Sequence, residues 1–304
     1  MGQVAQQAFH GGLPREWVGF ESSLAGAATA VKAPRGRSRC GKMVCRSSAG
    51  RPVYHFVAAF LVLLLGLVIG SFANTLIHRL PRRLSIVRPG SYCPHCETPL
   101  TADEKIPVLS FLTLGGRCSH CKEKISPRYP LVELGNALGW LGVFFRFGFS
   151  FESVVGCLLF TGLLAAALID VEHGIIPNGL TVGLLMIGFA ASFYPFGLGP
   201  LDSLLGVLVG GGLLLIFALL GKLIFKREAM GGGDLKLLAA AGAFVGWREV
   251  LLAAFIAVVL GAIVGGVRWA VTGERELPFG PFLAVGAMTA YLAGGIILDW
   301  YLSL

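Results

Sequence analysis

The sequence predicts an all-α polytopic membrane protein of about eight transmembrane helices, with a small cytoplasmic tetracysteine module of the zinc type between helices 1 and 2. Three observations carry that expectation. Of the 304 residues, 55% are hydrophobic and only 14% charged, where average proteins carry about 25% charged residues. The apolar residues gather into runs that approach the roughly 20 residues needed to cross a bilayer. Two Cys-x-x-Cys pairs lie together in the polar segment that separates the first two runs.

The runs occupy 54–77, 131–148, 153–169, 180–194, 204–221, 235–247, 250–271 and 280–300. The sixth is short for a span and the fourth marginal. They divide the chain into an N-terminal extension (1–53), a first helix with its module (54–130) and a transmembrane domain (131–304).

Charge sets the orientation. The net charge is +8, and nine of the 25 Lys and Arg residues fall between Arg79 and Arg128. Lys222, Lys226 and Arg227 follow the fifth run, and Lys236 begins the sixth. Such an excess marks cytoplasmic loops, so the first helix is expected to run from outside to inside. The charge is a topology signal; with no recognition motif beside it, the expected partner is the lipid bilayer and not nucleic acid. Residues 1–53 do not fit this map. They carry eight Lys and Arg residues yet would lie outside, and no signal-peptide core precedes residue 54. They read as a disordered extension or a mis-assigned start, with Met43 as the alternative first residue, and Cys40 and Cys45 receive no role.

Topology then selects two acids. The chain has five aspartates: Asp103, Asp170, Asp202, Asp234 and Asp299. Counted from a cytoplasmic 79–128 segment, the third helix returns to the inside at Asp170 and the fifth returns before Asp234. Asp202 and Asp299 fall at the outer edge, and Asp103 in the soluble loop. Ionisable groups are costly at membrane depth, about 2.5–3.5 kcal/mol for Asp at a helix centre. Two that converge at one boundary suit aspartyl proteolysis, where one carboxyl serves as base and the other as acid. A helix-end aspartate is also a common solvated cap. The same-side pairing favours catalysis, as do Gly231, Gly232 and Gly233, which permit a tight turn or a close approach.

Cys93-Pro94-His95-Cys96 and Cys118-Ser119-His120-Cys121 are separated by 21 residues. Four thiolates suit zinc in a structural site closed to substrate; iron is the competing metal. A reducing cytoplasmic location disfavours disulfides. A module of about 50 residues would draw folding energy from its metal. His95 and His120, inside the knuckles, read as spectators, and Cys157 as a small buried apolar residue.

The residues around these features resemble a known family. Gly231-Gly232-Gly233-Asp234, followed by Leu235-Lys236-Leu237-Leu238, is similar to the GxGD motif of the type IV prepilin peptidases, aspartyl proteases of bacterial inner membranes. Ile169-Asp170, with Ile175-Ile176-Pro177-Asn178 and Leu180-Thr181, resembles that family's first-aspartate motif. Gly70-Ser71-Phe72, Asn74 and Arg79-Leu80-Pro81 resemble its first-helix signature, and Tyr129-Pro130-Leu131-Val132-Glu133-Leu134 the opening of its second helix. The resemblance runs in order from Tyr54 to the C-terminus; the extension has no counterpart in it. It implies Asp170 and Asp234 as the catalytic pair, a peptidase domain over 131–304, and a cytoplasmic catalytic face on the bacterial inner membrane. Prepilins or pseudopilins with a short basic leader are the implied substrates. Longer family members carry a similar tetracysteine domain and methylate the new N-terminus, which implies S-adenosylmethionine as methyl donor. No Gly-x-Gly-x-x-Gly follows a strand, so a Rossmann-type site is not legible. Asn74, Arg79 and Glu133 are candidates for the methyl-donor site, with plain helix contacts as the alternative.

Helix dipoles suggest an order for the pair: Asp234 opens a helix and Asp170 closes one, so Asp234 is expected as base and Asp170 as acid, with Lys236 supporting Asp234. Glu172 and Glu228, beside the two motifs, are expected to meet the basic leader. The competing function is a proton-coupled transporter, which would place its acids at the membrane midplane among broken helices.

Overall fold

The computed structural model describes residues 51–304 apart from 89, 196, 227–230, 274–276 and 304. The expectations for residues 1–50 and for Glu228 lie outside the described residues. Every one of the eight apolar runs is a helix. In chain order the helices are α1 (Arg51–Arg79), α2 (Leu109–Thr113), α3 (Arg128–Phe147), α4 (Phe151–His173), α5 (Asn178–Ala191), α6 (Pro200–Phe225), α7 (Gly232–Val245), α8 (Trp247–Thr272) and α9 (Gly280–Leu302). The short α2 and a 3-10 turn, Asp103–Lys105, belong to the module between α1 and α3.

Five helices, α1, α4, α6, α8 and α9, are long and apolar enough to cross a membrane. The other three long runs do not meet that standard, each for a physical reason. Helices α5 and α7 have 14 residues each, about 21 Å at 1.5 Å per residue, against a hydrocarbon core of about 30 Å. Helix α3 has the length but carries Glu133 and Asn136 on its buried side and Arg146 in its last turn. Helix α7 is buried without a break from Leu237 to Val245, as expected of a helix apolar on every side. It packs on α4, α5, α6, α8 and α9. Outward, Leu64, Val68, Ile216, Leu219, Phe255 and Ile263 are exposed, a surface suited to lipid and not to water.

Small residues set the closest helix approaches, as is usual between membrane helices. Gly206 on α6 and Gly242 on α7 abut so tightly that a Cβ on either would strike the other's carbonyl. A Cβ at Gly70 on α1 would lie 2.7 Å from the Cα of Glu133 on α3. Beneath that crossing, Asn136 donates from Nδ2 to the Gly66 carbonyl at 2.8 Å, and the Thr161 hydroxyl donates to Asn136 Oδ1 at 2.9 Å. The Trp140 indole N–H donates to Thr161 Oγ1 at 3.0 Å, so one buried network ties α1, α3 and α4. Thr161→Val removes two of these bonds and should lower the unfolding free energy by about 1–2 kcal/mol. Equilibrium unfolding in mixed micelles checks this; an unchanged midpoint would mean the network adds nothing to stability.

The bundle sorts its acids by end. Glu249, Asp202 and Asp299 interact electrostatically, at the end where α9 finishes. Asp170 lies at the opposite end, where α9 begins.

Candidate active site

Helix α4 stops because Gly174 turns left-handed, with φ +63°, and its N–H caps the Asp170 carbonyl at 2.8 Å. That leaves Asp170 in the last turn, 7% exposed. Its Oδ2 accepts the backbone N–H of Gly280 at 2.7 Å. Gly280 is the first residue of α9, where an orphan N–H seeks an acceptor and an anion is favoured. A Cβ at Gly280 would lie 2.8 Å from Asp170 Oδ2 and 3.0 Å from Asp170 Cβ. Only glycine fits that approach without moving the carboxyl.

Asp234 sits half-buried in the first turn of α7. Of the three glycines before it only Gly233 makes a close approach, and none has the positive φ of a left-handed turn. Gly231 has an ordinary φ of −71°, whereas a Cβ at Gly233 would lie 2.9 Å from Ile176 Cβ. Ile176 belongs to the segment that follows Asp170, so this contact seats the start of α7 beside the end of α4. The carboxyl groups of Asp170 and Asp234 are near enough to interact electrostatically. The two acids selected by topology are thus brought together.

Two neighbouring expectations change. Lys236 does not serve Asp234; its Nζ donates to Asn178 Oδ1 at 2.8 Å, because residues two apart on a helix project to different sides. It ties α7 to the start of α5. The dipole argument no longer ranks the pair, because Asp170 lies at the C-terminus of α4 and also at the N-terminus of α9, and the two dipoles oppose. Glu172, expected to meet a leader, already pairs with Arg128 across 2.7 Å.

The module builds two knuckles of matching geometry. Glu97 N–H donates to the Cys93 carbonyl at 2.9 Å, and Lys122 N–H to the Cys118 carbonyl at 3.1 Å. Glu97 and Lys122 both turn left-handed, with φ +56° and +59°. The four sulfurs of Cys93, Cys96, Cys118 and Cys121 all lie within 4.8 Å of one another, with Cys93 and Cys121 at 3.8 Å. A tetrahedron with metal–sulfur bonds of about 2.3 Å has edges of about 3.8 Å, so the spacing fits a metal. The electrostatics fit as well. The Thr98 hydroxyl and amide bring the Cys96 thiol down to about 6, and the amides of Cys121 and His120 lower Cys118. Against the Glu123 amide, desolvation and the adjacent thiols push Cys121 up to about 11. Four adjacent thiols do not all ionise unaided; a cation at their centre permits it. His95 and His120 stand outside the cluster, and His120 Nε2 lies 4.0 Å from Glu104. Glu104 accepts from the Ser119 hydroxyl and from the Thr101 amide, which ties the 3-10 turn to the second knuckle. Those bonds hold its carboxyl below the usual range.

Glu133 is buried where the module meets α3. Its Oε2 accepts the Val108 N–H at 2.8 Å, and the Ser71 hydroxyl also reaches the carboxyl. Val108 has φ +61° and ψ −47°, a rare conformation for a β-branched residue that costs about 1–3 kcal/mol. Leu109 N–H closes the turn onto the Pro107 carbonyl at 2.6 Å. Asn74 donates to the Tyr129 carbonyl at 3.0 Å, and Arg79 clamps the Ser85 and Gly90 carbonyls, each at 2.9 Å. Asn74, Arg79 and Glu133 share the wall of a cavity of about 390 Å³ with the module. Gly280 and Val108 were not legible as site residues. Gly280, set between Pro278 and Pro281, signals only a helix start, and Val108 carries no sequence signal for its turn.

Together these features define a class: a multi-pass membrane protein with two neighbouring aspartates at one end of its helix bundle and a metal-binding tetracysteine module after its first helix. The chain belongs to the type IV leader peptidase family. The model of the bacterial peptidase A24 N-terminal domain matches residues 64–147, and that of the type IV leader peptidase family residues 157–266. A prepilin leader peptidase/N-methyltransferase of Pseudomonas aeruginosa is 38% identical over 79% of this chain and 92% of its own length. One from Stutzerimonas stutzeri is 38% identical with the same coverage. One from Myxococcus xanthus is 41% identical over 71% of this chain and 64% of its own length. No solved structure matches the chain.

Proposed function

We propose that this protein removes the leader peptide from type IV prepilins or pseudopilins at the cytoplasmic face of the bacterial inner membrane, with Asp170 and Asp234 as the catalytic pair, and N-methylates the new terminus from S-adenosylmethionine. The observation that supports this reading is that the two carboxyl groups interact electrostatically at one end of the bundle, with Gly233 against Ile176 and the Gly280 N–H on Asp170 Oδ2. Two adjacent carboxyls share a proton and titrate as a unit. The ionised one takes a proton from water, and the protonated one donates to the scissile carbonyl oxygen. The Gly280 N–H donates to Asp170 Oδ2 and holds that carboxyl in place.

The relatives' names join both activities in one chain. The basic 79–128 segment supports a cytoplasmic site, since the module and both aspartates would lie on that side. Zinc is the metal the four sulfurs suit, in a closed structural site. A proton-coupled transporter is the weaker reading, because its acids belong at the midplane and these sit at the helix ends.

The test incubates the protein in reconstituted membranes with a prepilin and S-adenosylmethionine and follows the intact mass of the product. Leader loss plus one methyl mass is expected. Cleavage without the methyl would remove the second activity, and no cleavage would sink the whole reading.

A further inference from the structure

We infer that the scissile stretch of the substrate docks as an extended strand along residues 174–177, the segment between α4 and α5, through main-chain hydrogen bonds to Ile175. This docking presupposes the peptidase half of the proposed function and adds how the peptide meets the two aspartates.

The bond to be cut creates the need for such a partner. In a helix each carbonyl is already bonded to the N–H four residues on and walled in by side chains. Water activated by a carboxyl reaches the carbonyl carbon only where the substrate is unwound. Unwinding frees main-chain N–H and C=O groups, and leaving them unpaired beside a bilayer is costly. A protein edge with free main-chain groups removes that cost, as in the capture of extended peptides by strand addition.

The segment offers that edge. Residues 175–177 run without helix, turn or bend, and Pro177 is extended, with φ −63° and ψ 132°. Among the described residues, neither the N–H nor the C=O of Ile175 has a hydrogen-bond partner. Ile175 is also 49% exposed. The groups on either side are already engaged: Gly174 N–H donates to the Asp170 carbonyl at 2.8 Å, and the Pro177 carbonyl accepts from Leu180 and Thr181 at 3.1 and 3.3 Å. An antiparallel partner exchanges both bonds with the residue opposite it, so Ile175 pairs with one substrate residue.

Three anchors hold this edge in advance of binding, which lowers the cost of ordering it. Gly174 is bonded to Asp170 itself. Ile176 is buried against Gly233, the residue before Asp234. Lys236 fixes the far end through Asn178 at 2.8 Å. A peptide seated on Ile175 therefore lies beside both carboxyl groups, and the Lys236–Asn178 bond keeps the edge in register with them.

The experiment follows cleavage of synthetic prepilin peptides, leader plus apolar segment, by the full-length protein in reconstituted membranes. In each peptide one amide within about three residues of the scissile bond becomes an ester, which removes a single N–H, and the scissile amide is kept. One position is expected to raise KM about fivefold to tenfold with kcat unchanged, the signature of one lost binding hydrogen bond. Its immediate neighbours, whose N–H groups point away from the edge, should be cleaved like the all-amide peptide. Ile175→Pro removes the enzyme's N–H and should raise KM for the all-amide peptide by a similar factor, with its unfolding midpoint measured alongside. If that midpoint falls, the ester series alone decides. An intact Ile175→Pro protein with wild-type KM overturns the docking, as do esters that are all tolerated or that all slow cleavage alike; leader cleavage then stands. A wild type that leaves the all-amide peptide uncut overturns the peptidase reading itself.

Discussion

Gly280→Ala should suppress leader cleavage nearly as fully as Asp170→Asn or Asp234→Asn. Loss of a general acid or base costs about 10²–10⁴-fold in rate, and either asparagine removes one such group without changing its shape. The glycine substitution reaches the same end by geometry. An alanine methyl would lie 2.8 Å from Asp170 Oδ2 and 3.0 Å from its Cβ, well inside contact distance. Backbone at the start of α9 cannot yield cheaply, because Phe279 and Phe282 pack against the core there. The carboxyl must swing off the Gly280 N–H and away from its place beside Asp234. Single-turnover cleavage of a prepilin in reconstituted membranes measures this, with the unfolding midpoint of each variant as a control. Wild-type cleavage by Gly280→Ala would mean that this contact does not position Asp170. Persistent cleavage by either asparagine variant would remove the two-aspartate mechanism.

Stripping the metal should unfold the tetracysteine module and abolish methyl transfer while affecting cleavage far less. Between residues 84 and 127 the only buried apolar side chains described are Cys93 and Cys118. Among the described residues there, regular structure is limited to one five-residue helix, a 3-10 turn and two isolated β-bridges. Such a segment has almost no hydrophobic core, so a metal held by the four sulfurs would serve as its core. Structural zinc contributes an apparent 10–16 kcal/mol or so in small zinc-binding peptides near pH 7, ample to decide whether a segment of this size folds. The peptidase helices do not depend on it, since α7 and the end of α4 are held by α5, α6, α8 and α9. Cys93→Ser with Cys121→Ser, or chelation, should raise amide exchange across 91–125 and leave the intact-mass product cleaved but unmethylated. Exchange protection that survives metal loss would show that the module folds by other means.

The helices were legible because hydropathy is a local property: all eight runs are helical. How many of them cross unaided was not legible. Hydropathy registers that a residue avoids water, and it does not distinguish lipid from protein as the alternative. Leu237 to Val245 are as apolar as a lipid-facing helix, yet they are enclosed by other helices. The knuckles were legible for the same local reason, since two residues between cysteines suffice to shape each turn.

What the sequence determined by itself, then, was the all-α membrane class and the cysteine quartet that can hold a metal; that Asp170 and Asp234 share one boundary was an expectation resting on a count of spans, of which five are long and apolar enough to cross. Tertiary structure alone decided which groups touch those aspartates. The Gly280 amide that holds Asp170 lies 110 residues away, and no spacing rule reaches across that distance. It likewise gave Lys236 to Asn178 and Glu172 to Arg128, pairings set by helix direction and not by nearness in the chain. At the cavity under the module, Glu133 accepts the N–H of Val108, 25 residues earlier, and so holds a strained turn in its wall. Local patterns are written in neighbouring residues, whereas a site assembled from four helices is written in how those helices pack.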